Sequence, residues 1–103
     1  GLFGAGWASP STTKLNSIEF VTIATTGNAM DFGDLTVERR AGQGTCSSPI
    51  RGVFAGGQGG PSDALLNTID CVELVSTGNA VDFGDLIGTT TQNTGCSNGH
   101  GGL

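Results

Sequence analysis

The sequence predicts an all-β chain made of two copies of one unit. Three observations carry that expectation. Residues 16–35 read NSIEFVTIATTGNAMDFGDL and residues 67–86 read NTIDCVELVSTGNAVDFGDL, with 12 of 20 positions identical at an offset of 51 residues. Periods of this order mark solenoids, propellers and other arrays, in which one supersecondary unit is stacked on the next. Glycine makes up 19 of 103 residues while charged residues are 13% and aromatics 6%, a composition suited to short strands joined by tight turns. There is no sustained i, i+3, i+4 apolar pattern to favour helix, and β-branched residues and glycine dominate.

The glycine-rich openings align at the same offset. Gly1-Leu2-Phe3 falls on Gly52-Val53-Phe54, and Gly6 on Gly57. The units are therefore residues 1–51 and 52–103, with Gly101-Gly102-Leu103 restarting the repeat. Gly1 itself lies inside a repeat motif, so the chain is expected to be a processed or excised piece of an array, or an engineered one.

Each unit reads as four short strands. Arg51–Gly57 is an apolar run ended by the pair Gly56-Gly57, hence a buried strand and a turn. Residues 58–66 are polar and contain Gly, Pro and Ser, and read as a loop. Residues 67–76 alternate, with Ile69, Cys71 (or Val72) and Leu74 apolar and Asp70 and Glu73 between them. The first copy matches with Ile18, Phe20 and Ile23 against Glu19 and Thr22. This is the pattern of a half-buried strand.

Thr26-Gly27-Asn28 and Thr77-Gly78-Asn79 follow, residues that tolerate positive φ, and predict a tight hairpin turn. The next strand carries Phe32 or Phe83 as its large side chain, expected to be buried in equivalent places. Gly33 and Gly84 behind them suggest a bulge or a close backbone approach. A last strand is expected around Thr45-Cys46-Ser47, turning at Ser48-Pro49. A four-stranded antiparallel unit at this period describes a β-propeller blade, two blades per chain.

That arrangement resembles a kelch repeat. An apolar strand ends in Gly-Gly (Val53-Phe54-Ala55-Gly56-Gly57), an aromatic stands a few residues past a turn (Phe32 and Phe83, where kelch repeats commonly have Trp), and an arginine follows (Arg39 or Arg40). The usual Tyr-Asp-Pro is replaced by Thr-Thr-Gly-Asn or Ser-Thr-Gly-Asn, and Thr89-Thr90-Thr91 stands in the second copy where Glu38-Arg39-Arg40 stands in the first. More narrowly, RGVFAGG, N-x-I-(D/E)-x-V, TTGNA-x-DFGDL and CSS in succession resemble tandem repeats in virion structural and tail-fibre-like proteins of marine cyanobacterial phages. The resemblance implies a virion or extracellular setting and no particular chemistry.

Charge narrows the partners. The net charge is -5, and the basic residues Lys14, Arg39, Arg40 and Arg51 are too few to neutralise many phosphates, so nucleic acid is disfavoured. No apolar run approaches the length of a membrane span. The three cysteines, Cys46, Cys71 and Cys96, are expected to be reduced and semi-buried; a Cys46–Cys96 disulfide would need neighbouring strands. No cofactor and no metal are expected. There is no CxxC, and the single histidine is His100.

Two motifs invite chemistry. Asp31-Phe32-Gly33 and Asp82-Phe83-Gly84 match a kinase magnesium triplet, but the other kinase motifs are missing. Asp31 and Asp34, like Asp82 and Asp85, form a D-x-x-D pair that would supply too few oxygens for a known calcium loop. Their recurrence in both copies favours scaffold roles through turn and backbone hydrogen bonds. Trp7 is different: its counterpart is Gln58. An unmatched Trp in a glycine-flanked loop can stack on a sugar or anchor an interface, local packing being the alternative.

Two blades would leave two open faces. Closure is expected from further repeats or from head-to-tail copies, three chains giving six blades or four giving eight, with the trimer favoured. Gly101-Gly102-Leu103 of one chain would then lead to Gly1-Leu2-Phe3 of the next. The function expected is non-enzymatic: a structural or adhesive module of a phage virion or fibre, presenting loops to host-surface carbohydrate. A self-assembling fragment with no function of its own is the alternative. A secreted carbohydrate-active or oxidase-type propeller enzyme is disfavoured, since no acid–base constellation is apparent.

Overall fold

A computed structural model describes residues 1–8, 13–41, 43–61 and 63–97, with only the backbone described at 7, 8, 13 and 41. His100 and Gly101-Gly102-Leu103 lie outside the described residues. Among the described residues there is no helix; the strands are β1 (Leu2–Ala8), β2 (Thr13–Phe20), β3 (Met30–Ala41), β4 (Gly44–Ser47), β5 (Arg51–Ala55), β6 (Gln58–Gly59), β7 (Ala64–Glu73) and β8 (Val81–Thr90). All neighbours pair antiparallel, in the order β1-β2-β3-β6-β7-β5-β4 with β8 on β7, and the sheet curls into a half-barrel.

The sequence repeat recurs in the ladder, partner for partner. Leu2 pairs Phe20, Phe3 pairs Glu19 and Gly4 pairs Ile18. At the 51-residue offset of the sequence, Val53 pairs Cys71, Phe54 pairs Asp70 and Ala55 pairs Ile69. Likewise Ile18 opposes Gly33 and Ile69 opposes Gly84, each followed by a register shift. The predicted bulge is present in both copies: Phe32 and Phe83 are the extra residues it absorbs. The paired glycines do take left-handed backbone, with φ of 73° at Gly56 and 104° at Gly57, repeated by Ala5 and Gly6 at 64° and 132°. They make no turn, however: β5 and β6 both run antiparallel to β7, and the pair is an irregularity between them, as Ala5-Gly6 is within β1.

The sheet does not divide where the sequence does. β4, from the end of the first unit, pairs with β5 of the second, so β4-β5-β7-β8 forms one four-stranded antiparallel meander from Gly44 to Thr90. β1-β2-β3 is its three-stranded counterpart. The described fold is thus an all-β curled sheet.

Three expectations are corrected. The chain reverses at Thr22–Thr25, where Thr25 N–H donates to the Thr22 carbonyl at 3.2 Å, and at Leu74–Ser76, not at Thr-Gly-Asn. Neither Gly27 nor Gly78 has positive φ; both segments run on extended after the turn. The segment 58–66 is not all loop: Gln58 pairs Leu65 and Gly59 pairs Ala64, making a small hairpin. Finally, Phe83 is 58% exposed where Phe32 is 6% exposed. Burial needs a neighbour, and only the first copy has one on that side.

The core lies between the copies. Ile18, Phe32 and Leu35 of the first pack with Phe54, Val72 and Ala80 of the second, flanked by Leu2, Ala5, Phe20 and Leu74. Phe20 meets Phe32 edge to face with ring centroids 6.0 Å apart. Ile23, expected on the buried side of its strand, instead sits in the turn and is exposed.

Candidate interaction surface at the seam between the copies

The seam is held by backbone first. β3 offers its outer edge to the extended segment after the second turn. Gly78 N–H donates to the Phe32 carbonyl at 2.8 Å and Ala80 N–H to the Asp34 carbonyl at 2.7 Å. Asp34 N–H donates to Asn79 Oδ1 at 3.0 Å. A Cβ at Gly33 would run into the Gly78 carbonyl, so the glycine is what lets the two backbones approach. Phe54 closes the other side, its ring lying over Gly4.

A polar network is buried beside this core. Arg39 Nη2 meets Asp70 Oδ2 at 2.8 Å, both side chains being fully buried. Arg39 Nη1 donates to the Gly56 carbonyl at 2.9 Å, and Thr36 donates to Asp70 from its backbone N–H and its hydroxyl. The paired carboxylate therefore accepts from three donors, which offsets its removal from water. Burial lowers the pKa of the Arg39 guanidinium from its ordinary value, and the charge of Asp70 opposes that. Asp70, one of the polar residues that alternate with Ile69, Cys71 and Leu74, points inward because Arg39 is there to meet it. The available signal was the break in the repeat, since Asp70 aligns with Glu19, Arg39 with Thr90 and Thr36 with Ile87.

A second clasp is exposed. Arg40 Nε and Nη2 reach the two carboxylate oxygens of Asp63 at 3.1 and 3.2 Å, and Lys14 Nζ lies 3.7 Å from Asp63 and donates to the Gly60 carbonyl at 2.7 Å. The hydrogen bond from Arg40 pulls the Asp63 carboxyl below its ordinary pKa, the charges of Arg40 and Lys14 adding to it.

The remaining predicted residues are dispersed. Asp31, Asp34, Asp82 and Asp85 are exposed, and among the described residues no cluster of three or more metal-ligating side chains occurs. It is the backbone of Asp34, not its carboxylate, that binds Asn79; Asn28, the counterpart of Asn79, is exposed, as are Gly27 and Gly78. Gly56 and Gly57 are buried under the end of β8, where Gly57 N–H donates to the Thr90 carbonyl at 2.8 Å. The backbone of Trp7, on β1, pairs with that of Lys14 on β2, so it sits in a strand and not in the expected loop.

The expected interface residues separate. Gly1 continues the β1–β2 ladder through two bonds with Val21, and Leu2 packs against the core, while Phe3 is exposed. Cys71 is buried, Cys46 half-buried and Cys96 exposed, all as free thiols; Cys96 departs from the semi-buried expectation. Gly1, Leu2, Cys46, Phe54 and Cys96 are among the residues lining an open cleft of about 510 Å³. Among the described residues no helix is long and apolar enough to cross a membrane. No protein-family model matches the chain, and no curated protein matches it in sequence.

Proposed function

We propose that the chain is a non-enzymatic structural and adhesive repeat module, of the kind used in phage virions and fibres. It would stack into a kelch-like propeller and turn its exposed loops, with the Trp7 end of β1 beside them, toward a host-surface carbohydrate. The observation that carries the reading is the partner-for-partner recurrence of the strand ladder at the sequence offset. Polar residues that recur in that ladder, such as Asp31 and Asp82, fit a scaffold role better than a catalytic one, which need appear only once. In this reading the assembly is a head-to-tail ring in a virion or extracellular setting, a trimer of two-blade chains being favoured over a tetramer. Trp7 is the residue we assign to carbohydrate stacking.

Glycan-array binding tests it. The intact chain should retain a defined set of glycans, and Trp7→Ala should lose them while the far-ultraviolet circular dichroism is unchanged. Absence of binding across the array, or binding untouched by Trp7→Ala, would refute the adhesive reading.

A further inference from the structure

The two copies share a sequence and a backbone but not a set of neighbours. Asp31-Phe32-Gly33-Asp34-Leu35 recurs as Asp82-Phe83-Gly84-Asp85-Leu86, and the φ angles of Gly33 and Gly84 are 155° and 157°. Yet the Cβ position of Gly33 is filled by the Gly78 carbonyl, and that of Gly84 has nothing within 4 Å. Phe83 is exposed where Phe32 is buried, and Ile87 beside it is fully exposed. The docking segment shows the reciprocal asymmetry. Ala80 in Gly78-Asn79-Ala80 is buried on β3, while Ala29 in the identical Gly27-Asn28-Ala29 is exposed.

We propose that β8 of one chain receives the Gly27-Asn28-Ala29 segment of a second copy of this chain, head to tail. The internal seam supplies the register. Gly27 N–H donates to the Phe83 carbonyl, Ala29 N–H to the Asp85 carbonyl, and Asp85 N–H to Asn28 Oδ1. Exposed Phe3 of the arriving copy takes the place that Phe54 holds in the seam. The occupant is specified because the required segment is present in this chain, identical to the one already seated on the equivalent strand. The contact is heterologous, with different patches on its two sides, so it repeats from copy to copy until the ring closes.

The junction is not a full replica. Thr36, Arg39 and Asp70 are replaced at the equivalent positions by Ile87, Thr90 and Glu19, so the buried ion pair is lost and an apolar side chain is gained. Ala55 replaces Gly4 under the incoming ring. Association is therefore weaker than the internal seam and depends on concentration. The proposal rests on the repeat-stacking part of the function proposed above and is independent of its carbohydrate part, since glycan binding can fail while association holds.

Two blocked chains test it. Ala29→Glu spoils the segment and leaves β8 intact; Phe83→Glu spoils β8 and leaves the segment intact. Both positions are exposed in the single chain, so both variants should keep the parent circular dichroism spectrum and urea midpoint. By sedimentation velocity the parent chain should self-associate with rising concentration, and each variant alone should remain a monomer. An equimolar mixture should form a heterodimer and nothing larger, because one unblocked junction remains. Asn28→Ala should weaken parent association about tenfold, the effect of losing one polar contact of about 1.4 kcal/mol. If Phe83→Glu does not fold, Ile87→Glu replaces it in the mixture. A parent chain that stays monomeric throughout, or folded variants whose mixture gives no heterodimer, would overturn the proposal.

Discussion

Arg39 of the first copy and Asp70 of the second meet at 2.8 Å across the seam, and neither side chain retains any exposed surface. Each charge is tolerable there because of the other, and the Thr36 and Gly56 hydrogen bonds complete the shell. Removing one partner leaves an uncompensated buried charge, whereas removing both leaves a gap that apolar groups can fill.

Asp70→Ala should therefore cost about 3–5 kcal/mol in urea unfolding, and Arg39→Met with Asp70→Leu should recover much of that loss. A single-variant cost below about 1 kcal/mol would show that the pair is wetter than its geometry implies.

Phe32→Ala should destabilise the monomeric chain by about 3–5 kcal/mol, in the range for a buried aromatic. Phe83→Ala, at the same place in the repeat, should change stability by about 0.5 kcal/mol or less, as surface substitutions usually do. Thermal unfolding at low protein concentration separates them; equal losses would mean that Phe83 finds cover within one chain.

That contrast also marks what the sequence could convey. The repeat, its strand partners, the bulges at Gly33 and Gly84 and the left-handed backbone at Gly56-Gly57 depend on local pattern, and local pattern repeats. Burial of Phe83 depends on which surface arrives next, which no pattern within the motif encodes. Gly with Asn is a hairpin signal, yet the chain reverses a few residues before it in both copies, and in the second copy Gly78-Asn79-Ala80 docks by its backbone on β3. The buried Arg39–Asp70 pair lies where the copies diverge, so the recurring pattern does not carry it. Divergent polar positions in a repeat deserve the opposite emphasis: they mark where one junction is made different from another.

Gly33→Ala and Gly84→Ala form a matched pair. The φ angles of 155° and 157° make the conformational cost of the new Cβ common to both. Only at Gly33 does that Cβ meet backbone. Gly33→Ala should lower the urea midpoint well below that of Gly84→Ala, and the difference between them measures the close approach of the Gly78 carbonyl. Equal midpoints would mean that the strand can shift to accommodate it.

Asp63 should titrate below its ordinary value of 3.8, because Arg40 and Lys14 favour its charged form. A depressed folded-state pKa contributes stability that is present above the unfolded value and is lost as pH falls through the folded one. The clasp is exposed, so the contribution is small and should fade with salt. Carboxyl chemical shifts followed by NMR should show the Asp63 midpoint rising in Arg40→Ala. No change in that midpoint would place the carboxylate away from the guanidinium in solution.

The last prediction joins the seam to the proposed junction between chains. If β8 receives a second copy as β3 receives Gly78-Asn79-Ala80, the missing network can be transplanted. Ile87→Thr and Thr90→Arg recreate Thr36 and Arg39 on the accepting strand, and Glu19→Asp recreates Asp70 on the arriving one. Thr90→Arg alone should gain only part of the effect, since it gives Glu19 a guanidinium partner but the longer side chain does not fit the Asp70 geometry. With all three substitutions the shell that surrounds Arg39 and Asp70 is restored, and association should become tighter than that of the parent chain. The coupling between Thr90→Arg and Glu19→Asp, from a double-mutant cycle on dissociation constants in the Ile87→Thr chain, should be about 1.5 kcal/mol or more, the lower end for close charge pairs at interfaces. A coupling near zero would mean that the two positions do not face each other, and that copies of this chain meet, if they meet at all, in some other register.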